Sequence, residues 1–236
     1  MHLDDLALLR LLQLADSALP IGATAHSYGL ETLTVEGDLG VDRLERFFHD
    51  YLQEAGMLEA TFCRLGYRTA TLADDAPAFA LRWLALNDQL SAYKTARESR
   101  TASATLGRRL LQLASSLEAR SVLTSALQTA KAQRADTHYS AAFGLVGAVL
   151  EIAETATVLA YLQQSLLGLI SACQRLLPLG QSQASAITWR LKETLVSVAA
   201  RSEQAALHPE ALYVFTPVLD VGSMHHPVLT TRLFIS

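Results

Sequence analysis

The chain has 236 residues and is short of charge and of aromatic rings: Asp, Glu, Lys and Arg make up 18% of it, and Phe, Trp and Tyr 7%. Runs of β-branched residues are nearly absent, which removes the usual material of strands. Only two cysteines occur, Cys63 and Cys173, far apart and without CxxC spacing. That excludes a disulfide framework and predicts two reduced core thiols. There is no GxxxxGK[ST] and no GxGxxG segment, so no phosphate cradle is recognisable, and HExxH and GxSxG are missing as well. The net charge is −4, from 19 basic and 23 acidic residues. Without a dominant run of Lys and Arg, nucleic acid is not an expected partner.

What is present is Leu and Ala, both strong helix formers. Half the chain is apolar and its mean hydropathy is +0.22. With so few charges to cover a monomer, part of the outer surface is expected to be buried by a partner. The segment Met1 to Asp5 is acidic and lacks the basic start and apolar core of a signal peptide, so a cytoplasmic location is expected. Thr155 to Gln174 is an uncharged run, but Gln163, Gln164 and Ser165 interrupt its centre; a buried helix pair is predicted there, with no membrane span.

The spacing of Leu8, Leu11, Leu12 and Ala15 predicts a first helix capped by Asp4 or Asp5 and stopped before Pro20 and Gly22. A second helix is expected over 25–33. After Asp42 the pattern is sharpest, with Leu44, Phe47, Phe48, Tyr51, Leu52, Ala55 and Leu58 on one helical face. Asp74-Asp75-Ala76-Pro77 reads as a turn into a new helix. Further helices are expected over 78–95, 101–118, 120–133, 139–160, 162–176 and 183–206. The reading is all-α: a single helical-bundle domain over 1–212 and an irregular, extended C-terminal tail over 213–236, broken by Pro217, Gly222 and Pro227.

Candidate chemistry is sparse. None of the seven histidines forms an i, i+4 pair with another His or with Cys, as a helical metal site favours. His225-His226 suits bridging or partner contact better than one chelate, although Asp220 keeps joint metal ligation open. His26-Ser27-Tyr28, between Gly22 and Gly29, could be a nucleophile site, but a helix cap and close packing account for the same residues. Lys94, Arg97 and Arg100 form a stripe with Glu98 beside it, followed by Arg108-Arg109; such stripes are usually solvated, an acidic partner surface being the sharper alternative.

Leu12-Gln13-Leu14-Ala15-Asp16-Ser17-Ala18-Leu19-Pro20-Ile21-Gly22, continuing to His26-Ser27-Tyr28-Gly29-Leu30-Glu31, resembles the N-terminal signature of the UreF family. Gly107-Arg108-Arg109-Leu110-Leu111, His138 with Phe143-Gly144, Ala160-Tyr161-Leu162, Arg175-Leu176 and Pro178-Leu179-Gly180-Gln181 resemble later motifs in order. Ser223-Met224, His226, Leu229, Arg232-Leu233-Phe234 and Ser236 resemble its ending, so the resemblance spans nearly the whole chain. It implies a helical scaffold or co-chaperone without catalytic residues, metal or cofactor of its own. It also implies a homodimer that acts with UreD (also called UreH), UreG and apo-urease in nickel insertion. Tyr28, Glu31, His226, Leu229, Arg232 and Phe234 are the partner-binding residues it suggests. The chain departs from the family pattern at Thr24, where an aromatic is usual, and at Glu151, where Gly is common. His225 and Pro227 replace the Arg and Glu that flank the tail histidine. The rival readings are a helical metal-dependent hydrolase built around His26, Ser27, His138 or the tail histidines, and a helical adaptor without urease partners.

Overall fold

A computed structural model describes residues 4–235; His2 and the Ser236 of the C-terminal motif lie outside them. The described residues contain helices and no strand, as the composition predicts. In chain order the α-helices are α1 (Asp5–Leu14), α2 (Leu30–Val35), α3 (Leu44–Tyr51), α4 (Met57–Thr69), α5 (Ala76–Tyr93), α6 (Arg97–Leu117), α7 (Ser121–Gln133), α8 (Tyr139–Val149), α9 (Glu154–Leu176), α10 (Gln181–Arg190), α11 (Lys192–Ala205) and α12 (Pro217–His225). A π-helical turn, Leu52–Gly56, joins α3 to α4, so the two form one rod. The expected stripe is its inner side: Leu44, Phe48, Leu52 and Leu58 are buried, with Phe47 and Tyr51 packed beside them.

The centre of the molecule is the crossing of α4 and α8, and glycine makes it close. A Cβ on Gly66 would stand 2.1 Å from the Ala141 carbonyl oxygen, and one on Gly144 only 1.9 Å from that of Cys63. Around this crossing Phe48, Phe62, Phe79, Trp83 and Phe143 are fully buried in one continuous apolar cluster that reaches from Ala7 to Phe234.

Some boundaries differ from the sequence reading. α1 touches the body through Ala7, Leu11 and Leu14, while Leu8 and Leu12 face outward. The helix is apolar on nearly every side, so spacing alone could not choose the face. The second helix starts only at Leu30, because Tyr28 (φ 51°) and Gly29 (φ 89°) form a left-handed turn. The uncharged run is one continuous helix, α9, long and apolar enough by composition to cross a membrane; 56% of its apolar window is buried inside the protein. The expected break near 160 falls instead at 150–153, where Glu151 takes φ 59° and Ile152 N–H donates to the Gly147 carbonyl at 3.0 Å. The 183–206 stretch bends at Leu191 into α10 and α11.

The tail is the main correction. It is not extended throughout: Pro217 sits in the first turn of α12, where its missing N–H costs nothing. Gly222 lies inside that helix because a Cβ there would press on the Gly29 carbonyl oxygen at 3.0 Å.

Candidate functional site

The left-handed turn at Tyr28-Gly29 opens the space into which the tail packs. A Cβ on Gly29 would lie 2.7 Å from the Leu219 carbonyl oxygen and 2.9 Å from the Ser223 nitrogen, so α12 seats directly on bare backbone. Thr32 Oγ1 donates to the Gly222 carbonyl at 2.8 Å, and Ser99 Oγ, near the start of α6, bonds Ser223 Oγ at 2.9 Å.

Beyond α12 the chain is gripped by one carboxylate. Glu31 Oε1 accepts the Leu233 N–H at 2.6 Å, and its Oε2 accepts that of Phe234 at 3.2 Å. The same Oε2 lies 2.9 Å from His226 Nε2, whose other ring nitrogen, Nδ1, is 2.8 Å from Glu98 Oε2. His226 is fully buried, so the Glu31 half of this bridge from α2 through the tail to α6 is shielded from water, while Glu98 at its other end is partly exposed. Phe234 is buried against the body, with the Arg175 guanidinium 4.2 Å from its ring centre. Arg175 also donates to the Thr24 carbonyl, and Ile235 N–H to that of Ala25 at 2.9 Å, closing the clasp onto the N-terminal turn.

Of the six residues singled out from the sequence, Glu31, His226 and Phe234 meet in this clasp. Leu229 is half-buried beside it and Arg232 is exposed. Tyr28 lies elsewhere, on a partly open cavity of about 140 Å³ that it shares with Tyr51, Tyr93, Tyr139, Tyr161 and the ion pair Glu59–Lys94. Burial would raise the Glu59 carboxyl, but the Lys94 ammonium outweighs it and holds that pKa below the usual carboxylate range. Burial and the nearby Glu59 push the Tyr28 phenol well up. Glu98, Ser99 and Ser223 complete the clasp, and no local signal exposes Glu98: its partner histidine is 128 residues away.

The histidine pair divides. His226 is locked inward while the exposed His225 faces Glu36 at 3.6 Å, so the two rings do not converge. Among the described residues no group of three or more His, Cys, Asp or Glu side chains is arranged to hold a metal. His138 is fully buried, with Nε2 2.8 Å from Ser91 Oγ and Nδ1 3.2 Å from Ser103 Oγ. Its N–H donates to Asn87 Oδ1 at 2.7 Å, so it ties α5, α6 and α8 together.

The clasp leaves an outward face that is apolar. Tyr213 (91% exposed), Phe215, Val218, Val228, Leu233 and Ile235 all point to solvent. Fold and site together define an all-helical protein whose C-terminal segment is laced to its body and leaves several large apolar side chains exposed. Comparison with known proteins gives the family. The UreF family model matches residues 40–192. A urease accessory protein UreF from Nostoc is 34% identical over 99% of this chain and 98% of its own length. One from Lachnoclostridium phytofermentans is 32% identical, covering 97% and 98%, and one from Haemophilus influenzae 31%, covering 96% and 94%. The chain belongs to the UreF family.

Proposed function

We propose that this protein is a non-enzymatic scaffold for urease maturation: a cytoplasmic homodimer that binds UreD (UreH) and UreG, meets apo-urease and promotes nickel insertion. The observation that carries the reading is the tail, which is anchored on one side by Glu31, His226 and Phe234 and bare on the other. Six large apolar groups held in water forgo roughly 1.5–3 kcal/mol each of burial, and a partner surface recovers it. The segment 213–236 is therefore read as the partner-binding tail of a helical body spanning 1–212. Leu229 and Arg232 are placed in the partner contact, and Glu31, His226 and Phe234 hold the tail in shape for it. The buried, fully bonded His138 weighs against a hydrolase centred on that residue.

The test is a UreD pull-down with matched circular dichroism spectra. Deleting the residues after Gly222 is expected to leave the helical body folded and to abolish UreD capture and urease activation. Val228→Asp and Leu233→Asp in the full-length chain are expected to weaken capture without loss of helicity. Unchanged UreD affinity in the truncated and substituted proteins would refute the tail assignment. Sedimentation at micromolar concentration tests the dimer, and a monomer would refute it.

A further inference from the structure

The α6 helix carries four arginines, Arg97, Arg100, Arg108 and Arg109, and none makes an ion pair among the described residues. Elsewhere Arg10, Arg64, Arg68 and Arg190 are matched to Glu118, Glu154 and Glu45. The one carboxylate of α6, Glu98, is turned to His226. In a chain of net charge −4, four guanidinium groups on one helix without a carboxylate partner are a concentration of positive charge, although Arg100 donates to the Lys94 carbonyl at 2.9 Å and Arg109 to that of Ile21.

A groove of about 610 Å³ runs along this helix. One wall is the i, i+4 ridge Arg97, Thr101, Thr105 and Arg109, which covers about 18 Å at the helical rise. The other wall is the docked tail, through Met224, Pro227 and Ile235; His26 and Glu98 also line the groove, the Glu98 carboxylate being engaged by His226 at 2.8 Å. Arg109 spends one N–H on the Ile21 carbonyl at 3.1 Å, and Arg97 is exposed at the opposite end.

We propose that this groove binds an extended acidic segment of a partner protein, with carboxylates at Arg97 and Arg109 and its middle lying on the apolar wall of the tail. About six residues of extended chain span the distance. Single-stranded nucleic acid fits less well, because the lining has no Phe, Trp or Tyr on which a base could stack. The groove shares Ile235 with the exposed apolar residues of the tail, and it exists only while the tail is docked.

The probe is a fluorescein-labelled peptide of about seven residues, with two carboxylates at each end and neutral apolar residues between, titrated with the full-length protein by fluorescence anisotropy. Expected are binding that weakens as salt rises, little binding of the peptide whose Asp and Glu are replaced by Asn and Gln, and a loss of about fivefold in Arg97→Glu, the upper range for an exposed pair. Thr101→Asp, also on the exposed face, should act in the same direction. Equal binding of the amide peptide, unchanged affinity in both variants, or tighter binding of an oligothymidylate of equal charge would overturn the proposal.

Discussion

Glu31 and His226 are 195 residues apart in the chain, yet Glu31 Oε2 stands 2.9 Å from His226 Nε2 with both side chains buried. One carboxylate thus holds an imidazole and two backbone amides of the tail. Replacing it by alanine strands three polar groups, at a cost of roughly 1–3 kcal/mol for each that stays buried. The Glu31→Ala variant is expected to speed amide exchange over 226–235 by at least about tenfold, which corresponds to 1.4 kcal/mol. Exchange in α4 and α8 should not change. Unaltered protection of the tail amides would show that the carboxylate does not hold it.

Two glycines should respond in opposite ways to the same change. Gly144→Ala places a Cβ 1.9 Å from the Cys63 carbonyl oxygen, so α4 and α8 must separate. A loss of several kcal/mol is expected, at the upper end of overpacking costs. Gly168, inside α9, has nothing within 4 Å of its added Cβ. Gly168→Ala is expected to stabilise by up to about 1 kcal/mol through helix propensity. Chemical denaturation of both variants decides the matter.

Glu151 is held at φ 59° with an exposed and long (3.8 Å) ion pair to Arg120. A left-handed non-glycine residue costs roughly 1–2 kcal/mol, while the exposed pair returns little. Glu151→Gly is expected to raise the melting temperature by about 1–3 °C after glycine's entropy cost is deducted. An unchanged or lower value would mean that the pair, or glycine's freedom in the unfolded chain, outweighs the strain.

The His138 imidazole is pushed down to about 3, first by burial and then by the Lys94 and Arg100 charges, against which Glu59 acts. The folded state therefore stays unprotonated while the unfolded chain takes up a proton below about 6.5. Folding stability falls as pH drops from about 6.5 toward 3, at up to 1.36 kcal/mol per unit, or about 2 kcal/mol by pH 5. In His138→Gln this contribution disappears. Urea unfolding at pH 7 and pH 5 should show a shallower decline in the variant; parallel declines would mean that the imidazole titrates normally.

The α3–α4 rod was legible because its apolar residues fall on one face and its polar residues largely off it. Asp75 was legible too: its side chain accepts the Ala78 N–H at 3.0 Å, with Pro77 in the first turn of α5. The face of α1 was not legible, since leucines surround it, and the break before α9 was hidden by a glutamate where glycine would have marked it. In the tail, prolines read as breakers also start helices. Glu31, His226 and Phe234 were reached through the family motif, but their convergence is a long-range event that no local pattern encodes. Glu98 carried no signal at all.

Cys63 and Cys173 are both buried; burial pushes the Cys63 thiol far up and that of Cys173 up to about 12. Neither offers a thiolate to an alkylating dye at neutral pH. A cysteine introduced at the exposed Val228 would therefore be the one site that a maleimide label finds. The motion of the tail can then be followed by fluorescence in the otherwise unaltered chain, with both native cysteines left in place.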